Sequence, residues 1–419
     1  MPRQKGRPRR VRAPVRGSAL TGLQLMLVFL DESGIICREA MSTYLVIGTW
    51  DTKHEELDFL CGEIARGGHT PVRLDVSSTR FTDARDIAID GVISRAAGEL
   101  KDLMKRHRLA GMVAVGGGTL LYMAVRLMED VPLLIPKVIV STMIVSSLGI
   151  FGSHKDVVYL QSPCDFGALN PLSEAVLTNA ANILTAMAQG LPRMDRRAVA
   201  ITAIGITGVY TEAVKAFWGG KGLALVPFHS AGESTMAMAE LVARGLFHGI
   251  LDLTLHDVLD HIARGAYGHI NEERLASYLS RDIPAVISPG ALDAVAFMPG
   301  NGGVPARFRR RNVYRHDFRW AVKATAREAA EAGRWIGKIV AKHAPERALF
   351  LIPLKGWSYP GEAGKSFYDP GLMRAFTSRL AKYVEKGRIE SVDLSINDPA
   401  FGIMASQRLY DLMESRWRT

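Results

Sequence analysis

The regular alternation of short apolar runs with longer amphipathic stretches constrains the fold of this chain more than any other feature. After Met41, a β-branched run at residues 44–47 precedes a stretch in which Leu57, Leu60 and Ile64 fall on one helical face. The pattern then repeats along the chain. Strands that are apolar throughout and alternate with helices form βαβ units, in which helices cover both faces of a parallel sheet. The sequence therefore predicts an α/β fold.

The alternation divides into two halves that begin alike. Each opens with an apolar strand, a loop containing glycine and threonine, and an amphipathic helix, and a polar link at residues 191–197 separates them. We predict two doubly wound, Rossmann-like parallel-sheet domains facing each other across a cleft, residues 41–192 and 198–419. The predicted strands lie at residues 44–47, 72–76, 112–115, 137–140, 199–204, 223–226, 249–253, 285–288, 312–315, 349–352 and 391–394.

The first 40 residues carry a large part of the positive charge. They contain eight lysine and arginine residues against three acidic residues, a net charge of +5, where the whole chain has +10. We interpret residues 1–40 as a flexible arm or an over-called translation start, with a targeting signal as the alternative. We do not expect a nucleic-acid partner, because the remaining excess charge is spread over the rest of the chain.

Two features of the remaining sequence favour a cytoplasmic protein. The longest apolar stretch, residues 131–150, is interrupted by Pro136 and Lys137, so we expect no membrane span. The three cysteines form no CxxC pair and are too few to cross-link a chain of this length. Such sparse cysteine usage fits a reducing compartment.

Small polar residues follow three predicted strands of the first half, at the sheet edge where open α/β sheets bind ligands. Glycines there let backbone N–H groups approach a phosphate, and Asp51 could hold Mg²⁺ through water. The sequence predicts a phosphate or nucleotide site, and tight turns with helix caps are the alternative. The predicted nucleotide-binding residues are Gly48, Thr49, Asp51, Thr52, Gly116, Gly117, Gly118, Thr119, Ser141 and Thr142.

The second half offers residues for acid–base chemistry at its predicted strand ends. The alternative function is a small-molecule enzyme with its site in the interdomain cleft, in which His229 is the base and Asp293 or Asp398 its partner. An arginine can hold a carboxylate or phosphate substrate as a bidentate clamp. The predicted substrate-binding residues are Arg307, Arg309 and His316. Structural histidines and a solvated basic loop are the plainer interpretation of the same residues.

The segment from His256 to His261 carries two His–Asp pairs four residues apart. On a helix, such a pair can hold a metal ion. We interpret the segment as a solvated helix start, where acidic residues favour the helix dipole, and predict no metal site.

Eight short segments resemble one known family. They lie at residues 46–53 (VIGTWDTK), 136–143 (PKVIVSTM), 165–170, 228–229, 249–254 (GILDLT), 288–293 (SPGALD), 304–309 (VPARFR) and 396–401 (INDPAF). Their order and spacing are similar to those of the largely uncharacterised bacterial and fungal family that includes the ATP-binding domain of the tomato mosaic virus resistance protein. The resemblance implies two Rossmann-like domains, ATP as cofactor and a homodimer. The plant protein continues into a TIM-barrel domain, which implies a separate TIM-barrel protein as a partner here.

This chain departs from the family pattern in three loops. Ala114 and Val115 stand where the family's first glycine loop has glycines, and residues 144–147 and 230–235 replace Ala-Ser-Gly-Asp and Ala-Thr-Gly-Thr-Gly-Gly segments. Because these loops would contact the ligand, a ligand other than ATP is the alternative that the departures leave open.

Overall fold

The computed structural model describes residues 28–31, 34–37, 41–77, 89–147, 154–189, 198–299, 303–315 and 317–417. Within the predicted arm, strands β1 (Val28–Asp31) and β2 (Gly34–Cys37) pair antiparallel. The predicted link at 191–197 and His316 lie outside the described residues. Among the helices in these ranges, none is long and apolar enough to cross a membrane.

The first domain is built on a five-stranded parallel sheet. Its elements are β3 (Thr43–Gly48), α1 (Trp50–Arg66), β4 (Thr70–Asp75), α2 (Ile89–Arg106), β5 (Leu109–Gly116), α3 (Gly118–Glu129), β6 (Lys137–Ser141), α4 (Ile144–Ser147), β7 (Val157–Gln161) and α5 (Pro171–Gln189). The strands are hydrogen-bonded in the order β4-β3-β5-β6-β7, and every pair is parallel. Numbered within the domain, this order is 2-1-3-4-5, which reverses between β3 and β5, where such folds bind ligands.

The second domain repeats this strand order and extends it. Its elements are β8 (Ala198–Ala203), α6 (Thr211–Gly219), β9 (Ala224–His229), α7 (Gly232–Ala243), β10 (Gly249–Thr254), α8 (His256–Ala263), α9 (Glu273–Leu279), β11 (Ala285–Gly290), β12 (Ala294–Phe297), β13 (Val313–Arg315), β14 (Trp320–Lys323), α10 (Ala326–His343), β15 (Ala348–Pro353), α11 (Pro370–Leu380), β16 (Ile389–Val392) and α12 (Pro399–Trp417). The parallel sheet runs β9-β8-β10-β11-β15-β16, and its order reverses between β8 and β10. The predicted pair of Rossmann-like α/β domains is therefore confirmed.

One predicted strand belongs to a different sheet. The segment predicted at 312–315 forms β13, which pairs antiparallel with β14 in a three-stranded sheet of order β12-β14-β13. Val313 is 44% exposed, so β13 lacks the two-sided burial of a central parallel strand. Three strands have no counterpart among the predicted ones: β7, which is only half-buried, and β12 and β14, which have four residues each.

Alternate residues of the central strands pack on opposite faces of each sheet. In β3, Leu45 and Ile47 join the apolar cluster on one face, while Tyr44 and Val46 join the cluster on the other. The residues of β8 divide in the same way. Each fully buried aliphatic side chain stabilises the fold by about 1.5–3 kcal/mol. Burial on both faces explains why these strands are apolar throughout their length.

The two domains contact each other through Glu240 and Arg244, at the end of α7. Glu240 Oε1 accepts the Leu133 backbone N–H at 2.7 Å, Lys155 pairs with Oε2, and Arg244 Nη1 donates to the Leu133 carbonyl at 2.6 Å. Burial alone would raise the pKa of Glu240, but the bonds from His154, Lys155 and Leu133 outweigh burial and lower it to about 2. Leu133 and Lys155 precede β6 and β7, so this contact lies at the amino-terminal edge of the first sheet.

Candidate functional site

The three loops predicted to bind a nucleotide follow neighbouring strands of the first sheet. β3 pairs with β5, and β5 pairs with β6, both in parallel. The loops that begin at Gly48, Gly116 and Ser141 therefore share the carboxyl edge of the sheet, and the first two flank the position where strand order reverses. The structure thus brings the predicted nucleotide-binding residues to one edge.

In the first of these loops, side chains of the protein already occupy the N–H groups that a phosphate would need. The backbone N–H groups at the start of α1 are bonded: Trp50 donates to Asp75 Oδ1 at 3.2 Å, and Asp51 donates to Ser77 Oγ at 3.1 Å. Thr49 and Thr52 bond each other through their hydroxyls at 3.0 Å. A phosphate at this helix end would have to displace a carboxylate. No motif in the sequence marked these two acceptors, Asp75 at the end of the neighbouring strand β4 and Ser77 just after it.

The second loop is open. Gly117 is the N-cap of α3 and offers no side-chain acceptor to the first N–H groups of that helix. No atom lies within 4 Å of the position that a Cβ of Gly117 would occupy, whereas a Cβ on Gly116 would lie 2.7 Å from a Leu120 methyl carbon. Thr119 is exposed beside this helix end. The loop therefore presents an uncapped helix N-terminus, which attracts anions through its free N–H groups and its dipole.

The third loop is a fixed turn. The buried Ser141 accepts the Met143 backbone N–H at 3.2 Å, and Gln161 spans the loop by donating to the Thr142 carbonyl at 2.7 Å and accepting the Val145 N–H at 3.2 Å. This arrangement leaves Met143 44% exposed, with its Cγ 3.5 Å from where a Cβ on Gly118 would lie. An apolar side chain therefore stands next to the open helix end.

In the second domain, the carboxyl edge of the sheet lies over a fully buried ionic network. Arg274 donates to both oxygens of Asp252, at 2.6 and 2.9 Å, and through Nε to Asp257 at 2.7 Å. Thr202 and Tyr278 donate to Asp252, each at 2.8 Å. Burial alone would raise the pKa of Asp257, but Arg274 outweighs burial and lowers it. Because every charge is paired inside the protein, this network holds the ends of β8 and β10 in place.

A small pocket of about 30 Å³ lies next to this network. Five segments line it, and all belong to the second domain: residues 204–206 after β8, His256 after β10, the loop at Tyr267, Ala296 of β12, and residues 319–321. Edge-on ring contacts join Tyr267 to His256, with centroids 5.7 Å apart, and to His229, 5.9 Å apart. Arg319 Nη1 donates to the Tyr267 hydroxyl oxygen at 3.0 Å. The pocket thus combines apolar walls with an imidazole and a phenol.

Burial governs the charge of this pocket. It lowers the pKa of His256 to about 4, and it lowers the pKa of His229 with help from Arg319. Burial also raises the pKa of Asp260 well above its usual range, although that carboxyl accepts the N–H groups of Tyr267 and Ala296. Both imidazoles are therefore neutral near pH 7.

Comparison with known proteins decides the family. Two models of one uncharacterised protein family, UPF0261, match the chain: the N-terminal domain model at residues 77–192 and the C-terminal domain model at 196–413. The chain belongs to the UPF0261 family. A UPF0261 protein of Rhizobium meliloti is 33% identical over 89% of this chain and 99% of its own length. The ToMV resistance protein Tm-1 of Solanum lycopersicum is 28% identical over 77% of this chain and 44% of its own length. The predicted resemblance is confirmed.

In this UPF0261 protein, each of the predicted acid–base residues contacts a different group. Within the described residues, no hydrogen bond or ion pair joins His229 to Asp293 or Asp398. His229 lies at the exposed rim of the pocket. Asp293 is buried, accepts a bond from Ser358 Oγ at 2.9 Å, and has its pKa raised by burial to about 7. Asp398 accepts the Ala400 N–H at 2.9 Å, which makes it the cap of α12.

The two arginines of the predicted clamp have different surroundings. Arg307 donates to the Ala263 carbonyl at 3.0 Å and stacks on Phe308. Arg309 is exposed, and its side chain makes no hydrogen bond or ion pair with the described residues. The arginine at the pocket is Arg319, which no motif in the sequence marked. His316 lies outside the described residues.

The His256 segment is not the solvated helix start that we predicted. His256 is 2% exposed, and Asp257 and Asp260 are 0% exposed, because the following loop packs over them. A Cβ on Gly265 would lie 2.3 Å from Asp260 Oδ1, and one on Gly268 would lie 2.5 Å from the Asp260 carbonyl carbon. These two glycines around Tyr267 were the available signal for a tightly packed loop in this UPF0261 protein. The described residues contain no group of three or more His, Cys, Asp or Glu side chains that could hold a metal ion.

Proposed function

We propose that the N-terminal domain binds a nucleotide, with ATP as the expected ligand, and that its phosphates sit at the amino end of α3. The observation that carries this proposal is the uncapped N-terminus at Gly117, in open space, at the position where strand order reverses. Backbone N–H groups at such an end hold phosphate oxygens in many α/β proteins. Of the three predicted loops, we therefore place the phosphates at the second, which begins at Gly116.

The neighbouring residues support distinct parts of the nucleotide. Thr119 adds a hydroxyl at the helix end, and the exposed side chain of Met143 offers an apolar surface for the adenine ring. Asp51, exposed on the adjacent loop, is the expected partner of a Mg²⁺ ion bound through water. The amino end of α1 is already capped by residues of the protein, so we do not place a phosphate there. In this proposal, Gly48, Thr49 and Thr52 line one side of the nucleotide site.

Equilibrium dialysis of the folded protein against ATP, with and without Mg²⁺, tests this function. We expect saturable binding that inorganic phosphate competes with weakly, because the base and ribose contribute contacts of their own. Failure to bind at millimolar ATP, where even weak specific sites of about −4 kcal/mol are half-filled, would overturn the proposal.

The cellular setting is a separate part of the proposal. We expect a cytoplasmic homodimer, with a separate TIM-barrel protein as partner, because the family resemblance implies both associations. Light scattering of the full chain tests the first association: a mass of twice 45.8 kDa supports the homodimer, and a mass of 45.8 kDa contradicts it. Pull-down with the full chain tests the second.

A further inference from the structure

A much larger cavity lies at the amino-terminal edge of the second sheet, and the nucleotide proposal does not use it. It is formed where α7 and α9 end, next to the starts of β10 and β11, and its volume is about 600 Å³. Its lining includes the apolar residues Phe247 and Ile283 and two arginines, Arg244 and Arg281. Cavities of this size hold small organic molecules in many proteins.

The two arginines of this cavity are each anchored through one nitrogen. Arg244 Nη1 donates to the Leu133 carbonyl at 2.6 Å, and Arg281 Nη1 donates to the Ser277 carbonyl at 2.9 Å. Within the described part of the chain, neither side chain makes another hydrogen bond or an ion pair. The edge of each guanidinium that carries Nε and Nη2 can therefore bind a ligand, and the anchoring lowers the entropy cost of doing so.

The same edge of the guanidinium binds oxyanions elsewhere in this protein. Arg408 donates to Glu390 through Nε at 3.0 Å and through Nη2 at 2.8 Å, and Arg319 holds Asp317 through the same two nitrogens. These paired N–H donors match two oxygens of a carboxylate or a phosphate. At the two arginines of the cavity, no carboxylate of the described residues takes this position, so a ligand oxyanion can take it.

The charge at the cavity favours a ligand with two negative charges. The acidic residues nearest to the two arginines in sequence are bonded elsewhere: Asp282 accepts from Arg347 Nε at 2.7 Å, and Glu240 pairs with Lys155. The two guanidinium charges therefore have no carboxylate partner among the described residues. A phosphate monoester carries a charge of about −1.5 to −2 near pH 7, which balances two arginines better than a single carboxylate does.

We propose that this cavity binds a small organic phosphate monoester. Arg244 and Arg281 hold its phosphate group, and its apolar part lies against the wall that Phe247 and Ile283 form. Because Arg244 also bonds to Leu133 of the first domain, a ligand that holds this arginine also stabilises the contact between the domains. The site is separate from the proposed nucleotide site, which lies in the other domain.

Isothermal titration calorimetry of the full chain with phenyl phosphate tests this site. We expect saturable binding at millimolar or lower concentrations that weakens as NaCl is added. Benzoate, with one negative charge, should bind at least about threefold more weakly. Arg281→Gln should weaken phenyl phosphate binding by about tenfold or more, because it removes one of two cations. Arg309→Gln removes an exposed arginine of the same domain outside this cavity, so this control should keep wild-type affinity.

A second variant tests the site while keeping both arginines. Ala243 is exposed and lines the cavity, so Ala243→Glu brings in a carboxylate that can pair with the arginines and should also weaken binding by about tenfold. Absence of phenyl phosphate binding at about 10 mM would overturn the proposal, as would wild-type affinity in Arg281→Gln. An equal loss in Arg309→Gln would contradict it too, because the attraction would then be non-specific.

Gly117→Asp separates this site from the proposed nucleotide site. This variant places a carboxylate at the amino end of α3, and it should retain phenyl phosphate binding whether or not ATP binds there. Retention in Gly117→Asp together with loss in Arg281→Gln supports the cavity of the second domain. Loss in Gly117→Asp with retention in Arg281→Gln would place the phosphate at α3 and overturn the proposal.

Discussion

Arg274 Nη1 lies 2.6 Å from Asp252 Oδ2, and both side chains are completely buried. The same guanidinium reaches Asp257 on the next element, so one cation serves two carboxylates at the carboxyl edge of the second sheet. A buried ion pair contributes little net stability when it is complete, but its disruption leaves a charge stranded away from water. This network therefore holds the strand ends next to the pocket in a fixed position.

Removal of one member of this network should strongly destabilise the protein. We expect Asp252→Asn to lower the free energy of unfolding by about 3–5 kcal/mol, because the amide NH₂ would face an N–H of Arg274 and leave that buried donor without an acceptor. Urea unfolding followed by circular dichroism measures the change. Asp102→Asn, in an exposed pair with Lys105, is the control and should change stability by less than about 1 kcal/mol. Equal effects in both variants would contradict the account.

The domain contact should depend on pH through Glu240. Its pKa is depressed from 4.5 to about 2 in the folded protein, so its stabilising effect is complete above pH 4.5 and is lost as the pH falls through 2. That difference corresponds to about 3 kcal/mol as an upper limit. The stability difference between wild type and Glu240→Gln should therefore shrink as urea unfolding is repeated from pH 5 to pH 2. A difference that stays constant over this range rules out the assigned role.

Asp293 should have the opposite pH dependence. Burial raises its pKa from 3.8 to about 7, so the folded state prefers the protonated acid and loses stability as the pH rises from 3.8 to 7. Asp293→Asn mimics the neutral form and should gain up to about 4 kcal/mol relative to wild type between pH 4 and pH 8. Paired denaturation curves at these two pH values measure this gain. The prediction fails if the variant's relative stability is the same at both.

Removal of the cap of α1 should lower the stability of the protein without changing ATP binding at α3. Asp75→Ala removes the acceptor of the Trp50 N–H and should cost about 1 kcal/mol of stability. It should leave ATP affinity within about twofold, because the proposed phosphate site is on α3 rather than α1. Thermal melts and equilibrium dialysis provide the two readouts. A large gain in affinity would show that Asp75 blocks the true phosphate site on α1.

The sequence was sufficient to predict the two α/β domains because the strands are buried on both faces and so form continuous apolar runs. The position of His229 near the pocket could also be predicted from the sequence, because the carboxyl ends of parallel strands meet at one edge of the sheet. The sequence could not predict which side chains lie in the pocket. Tyr267 comes from a loop and Arg319 from the residue before β14, and the hydrogen bond that joins them links segments far apart in the sequence. Capping of α1 by Asp75 and Ser77, at the end of β4, likewise depends on which strands are neighbours.

The affinity of Gly117 variants for ATP tests the central claim most directly. Asp at this N-cap can accept the first N–H groups of α3 without a steric clash, so Gly117→Asp should fold with wild-type or slightly higher stability while its carboxylate excludes phosphate. We predict that isothermal titration calorimetry will show at least about tenfold weaker ATP binding in Gly117→Asp, a loss of about 1.4 kcal/mol. Gly117→Ala, which adds no acceptor, should bind almost as tightly as wild type. Wild-type affinity in Gly117→Asp would contradict a nucleotide site at the amino end of α3.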